Sequence, residues 1–251
     1  MSNLIRSEWL KLRTVPLHII LWCLAGGFVL VITVLVAVLN GDPRLFSNSD
    51  LADLVGGTSI VAGLLVSVVS ALAITGEFAH GTIRPTLAAT PARTKVFLAK
   101  AVVLSVVALL IGIVVMWGSY LVGLVIFDIR GGDIGLSGSD GSLAVLVGTP
   151  FLFVILAMFG YGLGLVFRNS PAAVSVAILW PLLVETVLGG VLSVAGVDEP
   201  SRYLPYQSAF ALAVTDPDGL VNGRVGGGVF FAVVVVVLVA AAIAVNNRRD
   251  V

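Results

Sequence analysis

Apolar residues in this chain gather in long unbroken blocks, not in the short alternation of a half-buried strand. A helix needs roughly 20 mostly apolar residues to cross about 30 Å of hydrocarbon. Six blocks qualify, over residues 17–39, 58–75, 99–127, 143–167, 172–195 and 225–245. The second is short but uncharged, and the third is long enough to tilt or protrude. The pattern predicts an all-α polytopic membrane protein with six transmembrane helices in a single transmembrane domain, residues 1–251. The first block is longer than a signal-peptide core and no small-residue cleavage site follows it, so it is expected to stay as a span.

Composition narrows the setting. Of 251 residues, 59% are apolar and 11% charged, with a mean hydropathy of +1.12. A soluble domain runs near half apolar and about a quarter charged. That argues against a soluble enzyme, and intrinsic disorder needs the opposite composition. Lys+Arg and Asp+Glu each number 14, so there is no basic excess for nucleic acid. Cys23 is alone, and His18 and His80 stand in no metal-ligand spacing, so neither a disulfide nor a metal is expected.

Distributed by loop, the charges are lopsided. Six spans put both termini on one side, and that side carries ten basic residues against three acids, while the other carries four against ten. The positive-inside rule places both termini in the cytoplasm. Residues 1–16 then form a cytoplasmic interfacial helix. Leu4, Ile5, Trp9 and Leu12 share one arc at 100° per residue, with Arg6, Ser7, Lys11 and Arg13 outside it. Glu8 falls inside that arc and Leu10 outside it, so Glu8 needs a basic partner, expected in the first cytoplasmic loop. On the outer side, residues 196–224 hold the apolar stretch Tyr203-Leu-Pro-Tyr-Gln-Ser-Ala-Phe-Ala-Leu-Ala-Val, too short to span. It is read as a re-entrant segment with Tyr203 and Tyr206 near the headgroups. The Gly- and Asp-rich outer loop around Arg130-Gly-Gly-Asp reads as turns, without the spacing of a calcium loop.

The inward loop 76–95 carries the most information. Glu77 sits at a helix C-terminus, where the macrodipole disfavours an acid, so a cationic partner is expected among Arg84, Arg93 and Arg13. Gly81 permits a tight reversal. Pro85 suits the first turn of a new helix, Pro91 ends it, and Thr90 caps the next. The expected product is a short cytoplasmic helix over 85–89, held between the second and third spans and able to pass force to both.

The run Glu77-Phe-Ala-His-Gly-Thr-Ile-Arg-Pro-Thr-Leu-Ala-Ala-Thr-Pro-Ala-Arg, followed by Ala99-Lys100, resembles the coupling segment of type-2 ABC exporter permeases. Ser7-Glu-Trp-Leu-Lys-Leu-Arg13 is similar to the start of the small actinobacterial members, and Tyr203-Leu-Pro-Tyr-Gln resembles their outer segment. His80 and Pro85 depart from the usual pattern. The resemblance implies a subunit without catalytic chemistry, two copies forming a homodimer or close heterodimer, and two cytoplasmic ATPase subunits that hold ATP and magnesium. It puts Glu77, Gly81, Thr82, Ile83 and Arg84 at the ATPase contact, with Arg93 at its flank. The residues agree on the division of labour. A phosphate-cradling loop needs Gly-Lys followed by Ser or Thr, and Lys11, Lys95 and Lys100 follow Leu10, Thr94 and Ala99.

Within the spans, Glu185 is the one deep ionisable residue, a functional candidate by default. Three readings stay open: a protonated acid hydrogen-bonded between helices, a pathway or cation-binding group, and a proton carrier. The last would suit a proton-coupled secondary transporter, and a non-transporting membrane sensor or accessory subunit is the other rival. Pro181, one turn earlier, is expected to kink the fifth span. Gly160 and Gly164 form a small-xxx-small spacing for close helix approach, expected within one subunit. The nearly uncharged spans lean toward a lipophilic or amphipathic cargo.

Overall fold

A computed structural model describes residues 2–89, 92–135, 140–217 and 222–248. Among these, all regular structure is helical. Helix α1 (Ser2–Thr14) ends at an extended Val15, and Pro16 starts α2 (Pro16–Leu39) in the first turn, where a missing N–H costs nothing. Then follow α3 (Asn48–Ala79), the short α4 (Ile83–Ala89), α5 (Arg93–Ile129) and α6 (Ser142–Phe167). Helix α7 (Ser170–Val194) contains a π-helical stretch at Trp180–Val184. A short α8 (Pro205–Ala209) precedes α9 (Gly223–Arg248). Six of these, α2, α3, α5, α6, α7 and α9, are long and apolar enough to cross a membrane.

Two spans outrun their apolar blocks. Helix α3 begins ten residues before the expected 58, because Ser47 and Asp50 form a capping box: the Asp50 N–H donates to Ser47 Oγ at 3.2 Å and the Ser47 N–H to Asp50 Oδ2 at 2.9 Å. Helix α5 likewise runs from Arg93 instead of 99. Polar residues end a stretch that lipid tolerates; they do not end a helix. The expected kink at Pro181 takes the form of the π-helical stretch, in which the missing proline N–H is absorbed by wider turns.

Helices α3 and α6 are the centre, with 72% and 67% of their most apolar windows buried, against 17% for α2 and 22% for α7. Glycines make the central contact possible. A Cβ at Gly160 would stand 2.0 Å from the Ser67 carbonyl, and one at Gly164 would stand 2.4 Å from Ile74 Cγ2. Both belong to the α3–α6 seam of a single chain. The outer faces of α2, α7 and α9 present rows of exposed Val, Leu and Ile, the surface that hydrocarbon covers.

The segment between α7 and α9, expected on the outer side, folds into α8 flanked by 3₁₀ turns at Pro200–Tyr203 and Phe210–Leu212. Tyr203 is exposed, but Tyr206 is buried and meets Phe210 and Phe231 edge-on. Tyr206 therefore packs inside the protein and not among headgroups, because α8 turns that side toward α9.

Candidate functional site

Chain reversal at the end of α3 sets up the site. His80 caps the helix and Gly81 takes φ +68°, a left-handed conformation glycine adopts freely. Helix α4 then starts at Ile83, two residues before the expected Pro85. Pro85 is its third residue, where the backbone N–H has no intrahelical acceptor anyway. Thr90 and Pro91, the expected cap of the next helix, lie outside the described residues; α5 starts at Arg93 behind Ala92. Ile83 and Leu87, four apart, face inward, while Arg84 and Pro85 are exposed.

Behind α4 lies a cluster of four charges from three helices. Lys11 Nζ donates to Glu8 Oε1 at 2.7 Å and to Glu77 Oε1 at 2.9 Å. Lys100 Nζ donates to Glu77 Oε1 at 3.0 Å and, in a short bond, to Glu8 Oε2. Glu8, Glu77 and Lys100 are buried, and the Lys11 side chain is 39% exposed. Two acids and two lysines cancel, so the burial of charge is compensated within the cluster. Burial pushes the Glu8 carboxyl up, but Lys100 and Lys11 outweigh it and hold the group below its ordinary value. Burial pulls the Lys11 ammonium down, but its bonds to Glu8 and Glu77 win and raise it.

The cluster corrects two expectations. Glu77 pairs with Lys11 and Lys100 instead of Arg84, Arg93 or Arg13. Glu8 pairs with Lys11 on its own helix and with Lys100, inside a span and not in the first cytoplasmic loop. Lys100 is the residue that reasoning from the chain missed. A signal existed: Lys100 falls inside the apolar block 99–127, and a charge there needs a partner. The mismatched helical pattern of α1 also resolves, since Glu8 is buried and Leu10 exposed.

A cavity of ≈ 330 Å³ adjoins the cluster, lined in part by Lys11, His18, Glu77, His80, Thr82 and Lys100. Thr82 reaches back to the Glu77 carbonyl at 3.5 Å. Arg93 opens α5, half-buried, while Arg13 and Trp9 are exposed on α1. A further tie closes this end of the bundle. Arg168 terminates α6 at φ +52°, donates through Nε to Asn246 Oδ1 of α9 at 2.8 Å, and lies 5.0 Å over the Phe78 ring of α3.

Glu185 stands far from this cluster in the chain and is fully buried. Its Oε1 accepts from Trp180 Nε1 and from the Tyr206 N–H, each at 3.1 Å, and its Oε2 accepts from the Gln207 N–H at 3.0 Å. Those amides belong to the first turn of α8, whose N-cap is Leu204, a residue with no capping side chain. Glu185 thus supplies from another helix the acceptor that α8 lacks. The same segment is tied again after α8: the Thr215 N–H and hydroxyl donate to Asp53 Oδ1 at 2.6 Å and Oδ2 at 2.8 Å.

Among the described residues no group of His, Cys, Asp and Glu could hold a metal ion. No curated protein matches the chain. Residues 4–192 match the family described as ABC-2 family transporter protein, a span that takes in the charge cluster, α4 and Glu185. The chain therefore belongs to the ABC-2 family of transporter proteins and is a multi-pass membrane permease subunit of an ABC transporter, a family that works with an ABC ATPase subunit.

Proposed function

We propose that this permease serves an exporter of the plasma membrane, with both termini cytoplasmic and a lipophilic or amphipathic cargo such as a drug, a peptide or a lipid. A second permease copy, identical or closely related, completes the pathway. Two cytoplasmic ATPase subunits bind ATP and magnesium and perform hydrolysis. The observation that carries this reading is the mounting of α4. Its inner face is anchored by Ile83 and Leu87, Arg84 is exposed, and the charge cluster behind it fastens the ends of α1, α3 and α5 together. A push on α4 reaches α3 through Gly81 and α5 through Arg93, and α1 follows through Glu8. Glu77, Thr82 and Ile83 would support the contact and Arg84 would make it.

The cargo reading is supported by a cleft of ≈ 780 Å³ between α3, α7 and the outer segment, lined in part by Ile60, Val61, Leu182 and Phe210. In this scheme residues 196–224 act as a re-entrant cap over the cleft, held by Glu185 at one end and Asp53 at the other. Arg84→Glu tests the coupling assignment. The expected outcome is loss of transport-stimulated ATPase activity in the reconstituted complex, with membrane insertion unchanged. Normal stimulation in that variant would sink the assignment.

A further inference from the structure

Helices α1 and α5 enclose a second cavity that the charge cluster does not use. Its volume is ≈ 440 Å³, walled by Ile5 and Trp9 of α1 and by Val102, Val103 and Val106 of α5, with Arg6 at its edge. Val103 alone is closed over; Ile5, Trp9, Val102 and Val106 are 37%, 44%, 48% and 50% exposed, so this is an open groove on the outside of a span. Val102 follows Lys100 by two residues, which puts the groove near the end of that span, at the level where acyl chains meet headgroups.

The two faces of α1 differ in charge. Its acid, Glu8, is turned away from the groove and neutralised by Lys11 and Lys100. Arg6 is exposed and has no ionic partner among the described residues. An apolar slot thus ends at an unopposed cation, with a half-exposed tryptophan beside it, a residue that favours the membrane–water boundary.

We infer that α1 and α5 form a binding site for an anionic phospholipid of the adjoining leaflet, with one acyl chain along Val102, Val103 and Val106 and the phosphate on Arg6. A guanidinium presents a fork of donors that fits phosphate oxygens, and basic groups near the surface attract anionic lipid. Such a lipid bridges α1 and α5 beside the face of α1 that carries Glu8. Its occupancy therefore sets how firmly the charge cluster is held, which makes lipid composition a regulator of the coupling end of the permease.

The test uses the full chain in nanodiscs of phosphatidylcholine and phosphatidylglycerol, with brominated acyl chains on one lipid at a time. Trp9 emission is obtained by difference from Trp9→Phe. Brominated phosphatidylglycerol should quench Trp9 as though enriched about fivefold over phosphatidylcholine at equal mole fraction. Arg6→Glu should bring the two lipids to parity, and Arg6→Lys should keep most of the preference. Val106→Phe, which fills the slot, should reduce quenching by both lipids. Equal quenching in the unaltered protein, or a preference that survives Arg6→Glu, overturns the site. So does failure of either lipid to quench, the result expected if a second copy of the chain fills the groove. No ATPase is needed, so this outcome is independent of the Arg84→Glu result.

Discussion

Glu8 and Glu185 are both glutamates with almost no exposed surface, and the chain satisfies them in opposite ways. Glu8 is held by full charges. Lys11 comes from its own helix and Lys100 from a span far along the chain, and Glu77 shares both cations. Glu185 is held by neutral N–H groups, two of them the orphan amides that start α8. The difference lies in the donors: removing a cation from Glu8 strands a buried ion, whereas the donors on Glu185 carry no net charge. The Glu8 site is thus a stiff junction of three helices, whereas Glu185 is one end of a strap beside a cleft. In the proposed scheme, stiffness suits the element that would receive a push, and a strap of neutral donors suits one that would let go.

The largest expected effect breaks the Glu8 half of this comparison. Lys100→Ala leaves Glu8 and Glu77 sharing the half-exposed Lys11, so about 3–5 kcal/mol of stability should go. Hydrogen exchange of α1 amides should rise by orders of magnitude while α6 and α8 stay protected. The triple change Glu8→Gln, Glu77→Gln, Lys100→Met should recover part of the loss, since no ion is then stranded. If the triple variant is no better than Lys100→Ala, stranded charge is the wrong explanation.

The Glu185 site should break more gently. Glu185→Gln keeps the shape but replaces one accepting oxygen with an NH₂ group, so one α8 amide loses its acceptor at a cost of about 1–3 kcal/mol. Exchange at Tyr206 and Gln207 should speed up while α1 is unaffected. A variant that loosens α1 as much as α8 would show that the two sites are one cooperative unit, and the contrast would fail.

These two sites also differ in how far the chain alone reveals them. The six spans were legible because a bilayer demands long apolar runs, and α4 was legible to within two residues from Gly81 and Pro85. Glu77 and Glu8 were each legible as acids in need of a cation. Which cation was not, because Lys100 reaches Glu8 across 92 residues of sequence and only helix packing brings them together. For Glu185 the missing piece was a backbone one. Leu204-Pro205 marks a helix start with no capping side chain, yet nothing in the order of residues says which distant acid turns toward it. Ion-pair partners and borrowed caps are tertiary facts, and local patterns state only the need.

Lys11 sharpens the comparison by the smallest step, because it touches the same two carboxylates as Lys100 with its side chain 39% exposed. Water screens it, and Lys11→Ala should cost less than about 1 kcal/mol. The pH response separates the members of the cluster further. Glu8 is held below its ordinary value, so its contribution is complete above that value and is lost as pH falls through the lowered one. Lys11 is raised, so its contribution is complete below its ordinary value and is lost as pH rises through the raised one. Trp9, next to Glu8 and exposed on α1, reports docking of the helix. Its emission should be flat from about pH 5 to pH 10 and shift on either side. In Lys11→Ala the acid shift should remain, because Lys100 still holds Glu8. Loss of the acid shift in that variant would mean that the exposed lysine, and not the buried one, anchors the carboxylate.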